Sequence, residues 1–259
     1  MNGRQDSDVD GALRHQMGSL REALARRVAF VRERHPDGVA KPPLQLLLGE
    51  LRSLYRGRVK EPAVQPAVHP MPVMLLPGFG AHPKRMKPMA NALKAAGHHP
   101  YEWGLGFNLG PNQHNFTFLM RRVAAIAHEH KAPVALVGWS LGGLFAREIA
   151  RREPQMVAKV ITMGTPFSGD MRANNAWRAY QVITGHSVDQ PPIECDFATK
   201  PPVPTIALWS PRDGVVAPRA ACGWPGERDR AVSLRCTHLD FASAPPVITE
   251  VLRQLDFGD

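Results

Sequence analysis

Two stretches near the start of the chain place apolar side chains at helical spacing. In each stretch an apolar residue recurs every three or four positions, so that on a helix these residues form one stripe. The stripe residues are Leu13, Met17, Leu20, Leu24, Val28 and Val31 in the first stretch and Leu44, Leu47, Leu48, Leu51, Leu54 and Tyr55 in the second. We predict two amphipathic helices that form a hairpin and pack on the rest of the chain or on a second subunit.

From Met71 onward the pattern changes to short apolar runs that alternate with longer amphipathic stretches. The short runs are typical of buried strands and the longer stretches of helices. The predicted strands are 73–76, 100–103, 134–137, 160–163, 205–209 and 231–234, and the predicted helices are 84–96, 116–130, 141–152 and 247–255. This alternation predicts an α/β fold with a mostly parallel sheet of about six strands flanked by helices, with ligands bound at the carboxyl ends of the strands.

Two further segments complete the predicted organisation. Residues 61–70 are rich in proline and alanine, a composition typical of an extended linker. We therefore assign 1–65 to a basic helical N-terminal extension with its linker and 66–259 to the α/β domain. Within that domain 166–203 has no strand pattern but contains the amphipathic residues 176–183. A long insertion of this kind is typical of a lid, so we predict a helical cap over 166–203.

Composition and charge limit the class of protein. The chain has 259 residues, of which 44% are apolar and 21% charged, which excludes wholesale disorder. No apolar run is long enough for a transmembrane helix, and the polar N-terminus shows no secretory leader, so we expect a cytoplasmic protein. The three cysteines do not have the spacing of a metal site.

The net charge of +9 is concentrated near the N-terminus. Residues 11–60 hold eleven Lys and Arg against four Asp and Glu, a net charge of +7. A solvated helix face explains this charge, and peripheral contact of residues 11–60 with an anionic membrane is the alternative. No nucleic-acid recognition motif accompanies the charge, so we expect no nucleic-acid partner.

The most informative motif is Gly138-Trp139-Ser140-Leu141-Gly142. It lies between a predicted strand and a predicted helix, and a sharp turn there would expose the Ser140 hydroxyl at the end of the sheet. The glycines on either side permit the close approach of strand and helix. We predict that Ser140 is a nucleophile.

A serine nucleophile needs a base, and the base needs an acid that orients it. Asp213 directly follows the predicted strand 205–209, and His238 follows the last predicted strand. His238 is the only histidine that comes after both Ser140 and Asp213, whereas Asp240 lies too close to His238 along the chain to serve as the acid. We predict a Ser140–Asp213–His238 triad.

The same site needs donors for an oxyanion and a surface for the substrate. Leu141 follows the nucleophile and supplies one backbone N–H. We assign the second N–H to Phe79, in the loop after the first strand, because its flanking glycines permit a turn that points the N–H inward. Pro77 in the same loop has no N–H to donate. Five aromatic residues are candidates to line an acyl pocket, although each could equally be an ordinary core residue: Trp139, Phe107, Phe167, Trp177 and Tyr180.

These motifs resemble those of the α/β-hydrolase superfamily, and within it those of bacterial lipases and carboxylesterases. The resemblance rests on Leu76-Pro77-Gly78-Phe79-Gly80, the Ser140 motif, 163–167, 210–216 and Thr237-His238. The segment 103–111 also looks similar to one in lipase-like members. It implies a serine ester hydrolase that acts through an acyl-Ser140 intermediate and needs no metal and no organic cofactor. Similar proteins sometimes carry a disulfide near the histidine loop, which makes Cys222–Cys236 one alternative, but in a cytoplasmic chain we expect free thiols.

We therefore predict hydrolysis of carboxylic esters with apolar acyl chains, from small-molecule or lipid substrates. An acyltransferase or a thioesterase would use the same triad and differ only in what accepts or carries the acyl group. A membrane-associated scaffold that keeps a hydrolase shell is a further alternative, and a homodimer formed through the N-terminal stripes is another.

Overall fold

Six parallel strands form one sheet at the centre of the protein. The computed structural model describes residues 19, 21–54 and 62–257. The strands are β1 (Pro72–Leu76), β2 (His99–Glu102), β3 (Val134–Trp139), β4 (Val157–Met163), β5 (Thr205–Trp209) and β6 (Arg230–Ser233). They pair in the order β2-β1-β3-β4-β5-β6, and every pair is parallel. The predicted parallel α/β sheet is confirmed.

The helices follow the predicted alternation with local differences. Residues 21–32 form α1, and the remaining helices are α2 (Leu44–Leu54), α3 (Lys87–Ala95), α4 (Gln113–His130), α5 (Leu141–Arg152), α6 (Trp177–Thr184), α7 (Pro218–Cys222) and α8 (Pro245–Leu255). Helix α3 begins later than predicted because Pro88 is tolerated only in the first turn. Helix α4 begins earlier because Asn112 caps it by accepting from the Asn115 N–H at 2.8 Å. No helix in the described part of the chain is long and apolar enough to cross a bilayer.

Helices cover both faces of the sheet. Alternate residues of β1 point to opposite faces, so Val73 and Leu75 join a core with α3 and α8, whereas Met74 and Leu76 join a core with α4 and α5. All residues of β1 and β3 are buried. Burial on both faces explains why these strands have continuous apolar runs in the sequence.

The N-terminal helices present their apolar stripes to the outside. Leu24 on α1 is 64% exposed and Leu44 on α2 is 66% exposed, and Val28, Val31, Leu48 and Leu51 are exposed as well. The predicted packing on the α/β domain is therefore wrong for these six residues, whereas Leu47 of the same stripe is half-buried. Packing of the exposed residues on a second subunit stays a prediction. Leu13, Met17, Leu20 and Tyr55, with the side chain of Leu54, lie outside the described residues.

Polar groups attach the N-terminal helices to the domain instead. Arg27 on α1 donates to the carbonyl of Val182 on α6 at 3.0 Å. Glu33, just after α1, forms an ion pair with Arg172 at 2.8 Å and accepts from the Gln181 side chain at 2.8 Å. Helix α6 lies within the segment that the sequence predicts as a cap, so the extension contacts that segment directly.

Candidate active site

Ser140 occupies a strained turn between β3 and α5. Its φ of 53° and ψ of −121° place a non-glycine residue at positive φ, a conformation that costs free energy and is held only by its surroundings. The turn is tight because α5 approaches β1 closely, and a Cβ added at Gly142 would collide with the carbonyl of Leu76. The backbone N–H of Ser140 donates to the carbonyl of Met163 at 2.8 Å, which ties the turn to β4.

Asp213 and His238 form a buried pair on the loops that follow β5 and β6. His238 Nδ1 lies 2.8 Å from Asp213 Oδ2. The other carboxylate oxygen, Oδ1, accepts from the N–H groups of Val215 and Val216, each at 2.8 Å. Asp213 is fully buried and His238 nearly so. The carboxylate is therefore fixed by backbone donors while it orients the imidazole.

The surroundings of His238 set its charge preference. Burial by itself lowers the pKa of a histidine, but the carboxylates of Asp213 and Glu50 act against burial, and the pKa of His238 is raised above its ordinary value. These carboxylates therefore stabilise the imidazolium that would form when His238 accepts a proton.

Trp139 connects the serine turn to the histidine loop. Its indole Nε1 donates to the carbonyl of His238 at 3.0 Å, and the two rings have centroids 5.9 Å apart. Among the described residues, the Ser140 hydroxyl makes no hydrogen bond to the imidazole. Such catalytic hydrogen bonds are often long without substrate and shorten when it binds.

The loop after β1 packs against Ser140. Gly78 lies against Ser140, since a Cβ placed there would be 3.2 Å from the serine Cβ. The N–H groups of Phe79 and Leu141 have no acceptor among the described backbone hydrogen bonds. Neither N–H group is therefore occupied by a backbone acceptor among the described residues.

Asn108 holds this loop in place, and sequence reasoning gave it no role. Its buried side chain donates through Nδ2 to the carbonyl of Pro77 at 2.7 Å. Its backbone carbonyl accepts from the Gly80 N–H at 2.7 Å. Asn108 thus fixes the backbone on both sides of Phe79. Its only signal in the sequence is an amide residue in the glycine-rich segment after β2, which does not specify a partner in another loop.

An apolar cavity of about 70 Å³ opens beside Ser140. Of the five aromatic candidates, Trp177 and Tyr180 line it, and both come from α6. Phe79 also lines it and contacts the Tyr180 ring, with centroids 5.3 Å apart. Leu141, Leu144, Met171, Val188, Phe197 and Val216 contribute further apolar walls.

The other three aromatic candidates do not line this cavity. Trp139 is buried in the core and reaches the His238 carbonyl, as described above. Phe167 is buried beneath the guanidinium of Arg147, which lies 4.1 Å from its ring centroid. Phe107 is 60% exposed and packs its ring on His82. The sequence shows that a residue is aromatic, but it does not show whether that residue lines the cavity or packs elsewhere.

The described residues offer no evident metal site, and the cysteines are unpaired. No group of three or more histidine, cysteine or acidic side chains among them is arranged to hold a metal ion. Cys222 and Cys236 are both free thiols, so the alternative Cys222–Cys236 disulfide is not formed. Burial raises the pKa of Cys236 to about 12, so its thiol is a poor nucleophile.

A family model described as the alpha/beta hydrolase family matches residues 73–255. The chain therefore belongs to the alpha/beta hydrolase family, which confirms the resemblance seen in the sequence. The match begins after the N-terminal extension, so α1 and α2 lie outside it. No protein with a curated description matches the chain significantly.

Solved structures share the fold at low sequence identity. A pyrethroid hydrolase, PytH, is 16% identical with a TM-score of 0.53, over 73% of this chain and 98% of that one. A structure reported for the lipolytic enzymes LipS and LipT is 14% identical with a TM-score of 0.53, over 76% and 96%. A putative non-heme bromoperoxidase, BpoC from Mycobacterium tuberculosis, is 15% identical with a TM-score of 0.51, over 76% and 97%. At these identities the likeness concerns the fold alone.

Proposed function

We propose that this protein is a serine ester hydrolase that cleaves carboxylic esters through an acyl-Ser140 intermediate. The observation that carries the proposal is the position of Ser140, which lies on a strained turn in the wall of an apolar cavity. An apolar cavity suits the acyl chain of an ester, and a strained turn holds the hydroxyl towards it. Esterase and lipase chemistry in proteins of this fold is consistent with the proposal.

In the proposed mechanism His238 accepts the Ser140 proton as Oγ attacks the ester carbonyl. Asp213 holds the imidazole through the 2.8 Å contact to Nδ1, which leaves Nε2 to act on the serine. The N–H groups of Phe79 and Leu141 stabilise the oxyanion of the tetrahedral intermediate. His238 then protonates the departing alcohol, and a water molecule that it activates releases the acyl group. No step requires a metal or an organic cofactor.

The size of the cavity favours a short acyl chain. About 70 Å³ has room for only a few water-sized groups. Tyr180 and Trp177 limit it on the side of α6, and both are held by neighbours in the extension or the loops around them. We propose that short acyl chains are cleaved faster than long ones and that longer chains require α6 to move.

The test is the hydrolysis of p-nitrophenyl esters from acetate to palmitate, measured with the wild type and with Ser140→Ala. We expect rates that are highest for short chains and that fall by roughly 10³-fold or more in Ser140→Ala. Ser233→Ala is the matched control, because Ser233 is exposed at the end of β6. Near-full activity in Ser140→Ala would refute the proposal.

A second measurement separates hydrolysis from acyl transfer, which would use the same residues. With an ester substrate and a competing alcohol, a hydrolase releases mainly free acid, whereas an acyltransferase forms mainly the new ester. Failure to turn over any ester, combined with covalent labelling of Ser140 by a fluorophosphonate, would favour an acyltransferase or a thioesterase with a special acyl donor. If the fluorophosphonate also failed to label Ser140, the result would favour a membrane-associated scaffold that keeps a hydrolase shell.

A further inference from the structure

Glu50 on helix α2 is a buried carboxylate that comes from outside the family match. Its relative exposure is 3%, although its neighbours Leu48 and Leu51 on the same helix are exposed. The family match covers 73–255, so Glu50 belongs to the N-terminal extension. A buried carboxylate requires partners, because an unpaired charge in the interior is costly.

The partners of Glu50 are backbone N–H groups of the two loops that carry Asp213 and His238. Oε1 accepts from Gly214 at 2.8 Å and from His238 at 2.7 Å. Oε2 accepts from Leu239 at 2.9 Å. The first donor follows Asp213 directly, and the second is His238 itself. One carboxylate therefore joins the acid loop to the histidine loop.

The backbone of α2 comes close enough for these contacts because residue 214 is glycine. A Cβ at Gly214 would collide with the carbonyl of Leu46 on α2. Asn175 adds a second connection, since its Nδ2 donates to the carbonyls of Pro42 and Gly214 at 3.1 and 2.8 Å. The extension thus packs closely against the loop that carries Asp213, and this packing places Glu50 beside Asp213 and His238.

We propose that Glu50 is a positioning residue for the reaction of Ser140, supplied by the N-terminal extension, and that its carboxylate fixes the Asp213 and His238 loops relative to each other. The proposal rests on the proposed serine hydrolase function. Glu50 does not touch the reacting atoms, and it acts through the backbone of the two residues that flank the proton transfer. Its negative charge adds to that of Asp213 beside the imidazolium that forms during the reaction.

The pH dependence of the rate can distinguish a positioning role of Glu50 from a purely structural one, because it depends on the charged groups near His238. Asp213 and Glu50 both raise the pKa of His238 against the effect of burial. Asp240 follows His238 on the same turn and accepts from the Thr237 N–H at 3.1 Å. Because His238 must be neutral to accept the serine proton, the rate rises with pH through the pKa of His238. Loss of the Glu50 charge lowers that pKa and moves the rise to lower pH.

The experiment measures the rate of fluorophosphonate labelling of Ser140 as a function of pH, since labelling needs the nucleophile but no knowledge of the ester. Glu50→Gln keeps an oxygen that can accept from Gly214 and His238 but removes the charge. We expect a labelling rate that is lower by roughly 10-fold at its maximum and a pH midpoint below that of the wild type. Glu50→Asp keeps the charge on a shorter arm, so its rate should fall while its midpoint stays near the wild-type value.

Glu33→Gln is the matched control. Glu33 lies in the same extension, and it contacts Arg172 and Gln181 rather than the loops of Asp213 and His238. Its pH midpoint should equal that of the wild type. An unchanged midpoint and rate in Glu50→Gln, with only a lower melting temperature, would overturn the proposal. An equal shift in Glu33→Gln would also overturn it, because the effect would belong to the whole extension.

The outcome can be separated from the proposed ester hydrolysis. If the wild type labels but cleaves no ester, the proposed function fails and the labelling comparison still decides the role of Glu50. If the wild type does not label, the pKa of His238 is followed by NMR, with its ring signal assigned through His238→Asn. A pKa that is lower in Glu50→Gln than in the wild type and Glu33→Gln would then support the assignment, and identical values would refute it.

Discussion

The α/β domain and the N-terminal extension bury opposite kinds of side chain. In β3 of the domain Leu136 is fully buried, and the apolar pattern of the strand faces the core on both sides. In α1 and α2 the apolar residues Leu24 and Leu44 are about two-thirds exposed, and the acidic Glu50 is buried. Apolar residues at helical spacing usually form the face of a helix that packs on the core. In α1 and α2 the exposed leucines and valines at this spacing lie on a face that points away from the domain.

The difference shows what decides which face of a helix meets the domain. Periodicity identifies the residues that share a face, but it does not identify what that face contacts. The domain presents donors to the extension, namely Arg172 to Glu33 and three backbone N–H groups to Glu50. Carboxylates satisfy these donors and leucines cannot, so the polar side of the extension packs inward.

Replacement of Asp213 by asparagine tests the role of a buried carboxylate that belongs to the α/β domain. We expect this substitution to have the largest effect on the rate. The amide oxygen of Asp213→Asn can still accept from Val215 and Val216, so the loop keeps its shape. The amide NH₂ then faces His238 Nδ1, which forces the proton onto Nε2 and prevents it from accepting the serine proton. We expect kcat to fall by about 10⁴-fold with little loss of stability.

The measurement is steady-state ester hydrolysis together with thermal unfolding. Asp240→Asn is the control, because Asp240 is the other acid near His238 and its carboxylate accepts from the Thr237 N–H. A loss in Asp240→Asn as large as that in Asp213→Asn would transfer the role of the acid to Asp240.

Replacement of Asn108 by alanine tests how far a positioning residue inside the domain resembles Glu50. Without the side chain, the carbonyl of Pro77 loses its 2.7 Å donor, and only the backbone of residue 108 still holds the loop that carries Phe79. We expect kcat/KM to fall by roughly 10- to 100-fold, the order of effect for a displaced oxyanion donor.

Asn112→Ala separates this effect from general destabilisation. Asn112 caps α4, so its loss should cost about 1 kcal/mol of stability without a matching loss of rate. Equal rates in Asn108→Ala and Asn112→Ala would show that Asn108 does not position the loop.

The strands and the candidate triad could be predicted because they depend on local patterns. Ser140, Asp213 and His238 each follow a short apolar run, and in a parallel sheet the carboxyl ends of the strands meet at one edge. The 2.8 Å contact between Asp213 and His238 agrees with that reasoning. The predicted and observed bounds of the helices differ mainly where a single residue sets the start of a helix, as Pro88 does for α3.

The role of Glu50 could not be predicted because its partners are backbone groups far along the chain. Gly214 and His238 lie 164 and 188 positions away. A glutamate beside a leucine stripe is typical of a solvated helix face. Because every residue except proline has a backbone N–H, the sequence does not show which of these groups Glu50 would bind. The pocket aromatics pose a similar problem, since Trp177 and Phe167 are both aromatic and only Trp177 lines the cavity.

Removing a leucine from the domain core should affect stability rather than the rate of the reaction. Leu136 is fully buried between the sheet and its covering helices, so Leu136→Ala leaves a cavity in the core. We expect the free energy of unfolding to fall by about 2 to 5 kcal/mol. Urea denaturation measures this, and a cost under about 1 kcal/mol would show that the core can collapse around the missing side chain.

The smallest effect should come from a leucine of the extension. Leu48 is 64% exposed on α2, and Leu48→Ser removes apolar surface that solvent already contacts. We expect the free energy of unfolding to change by no more than about 0.5 kcal/mol, as for other surface substitutions. The measurement is the same urea denaturation, repeated at several protein concentrations. A larger, concentration-dependent cost would show that a second copy covers this stripe, and the contrast between domain and extension would then hold only for the isolated chain.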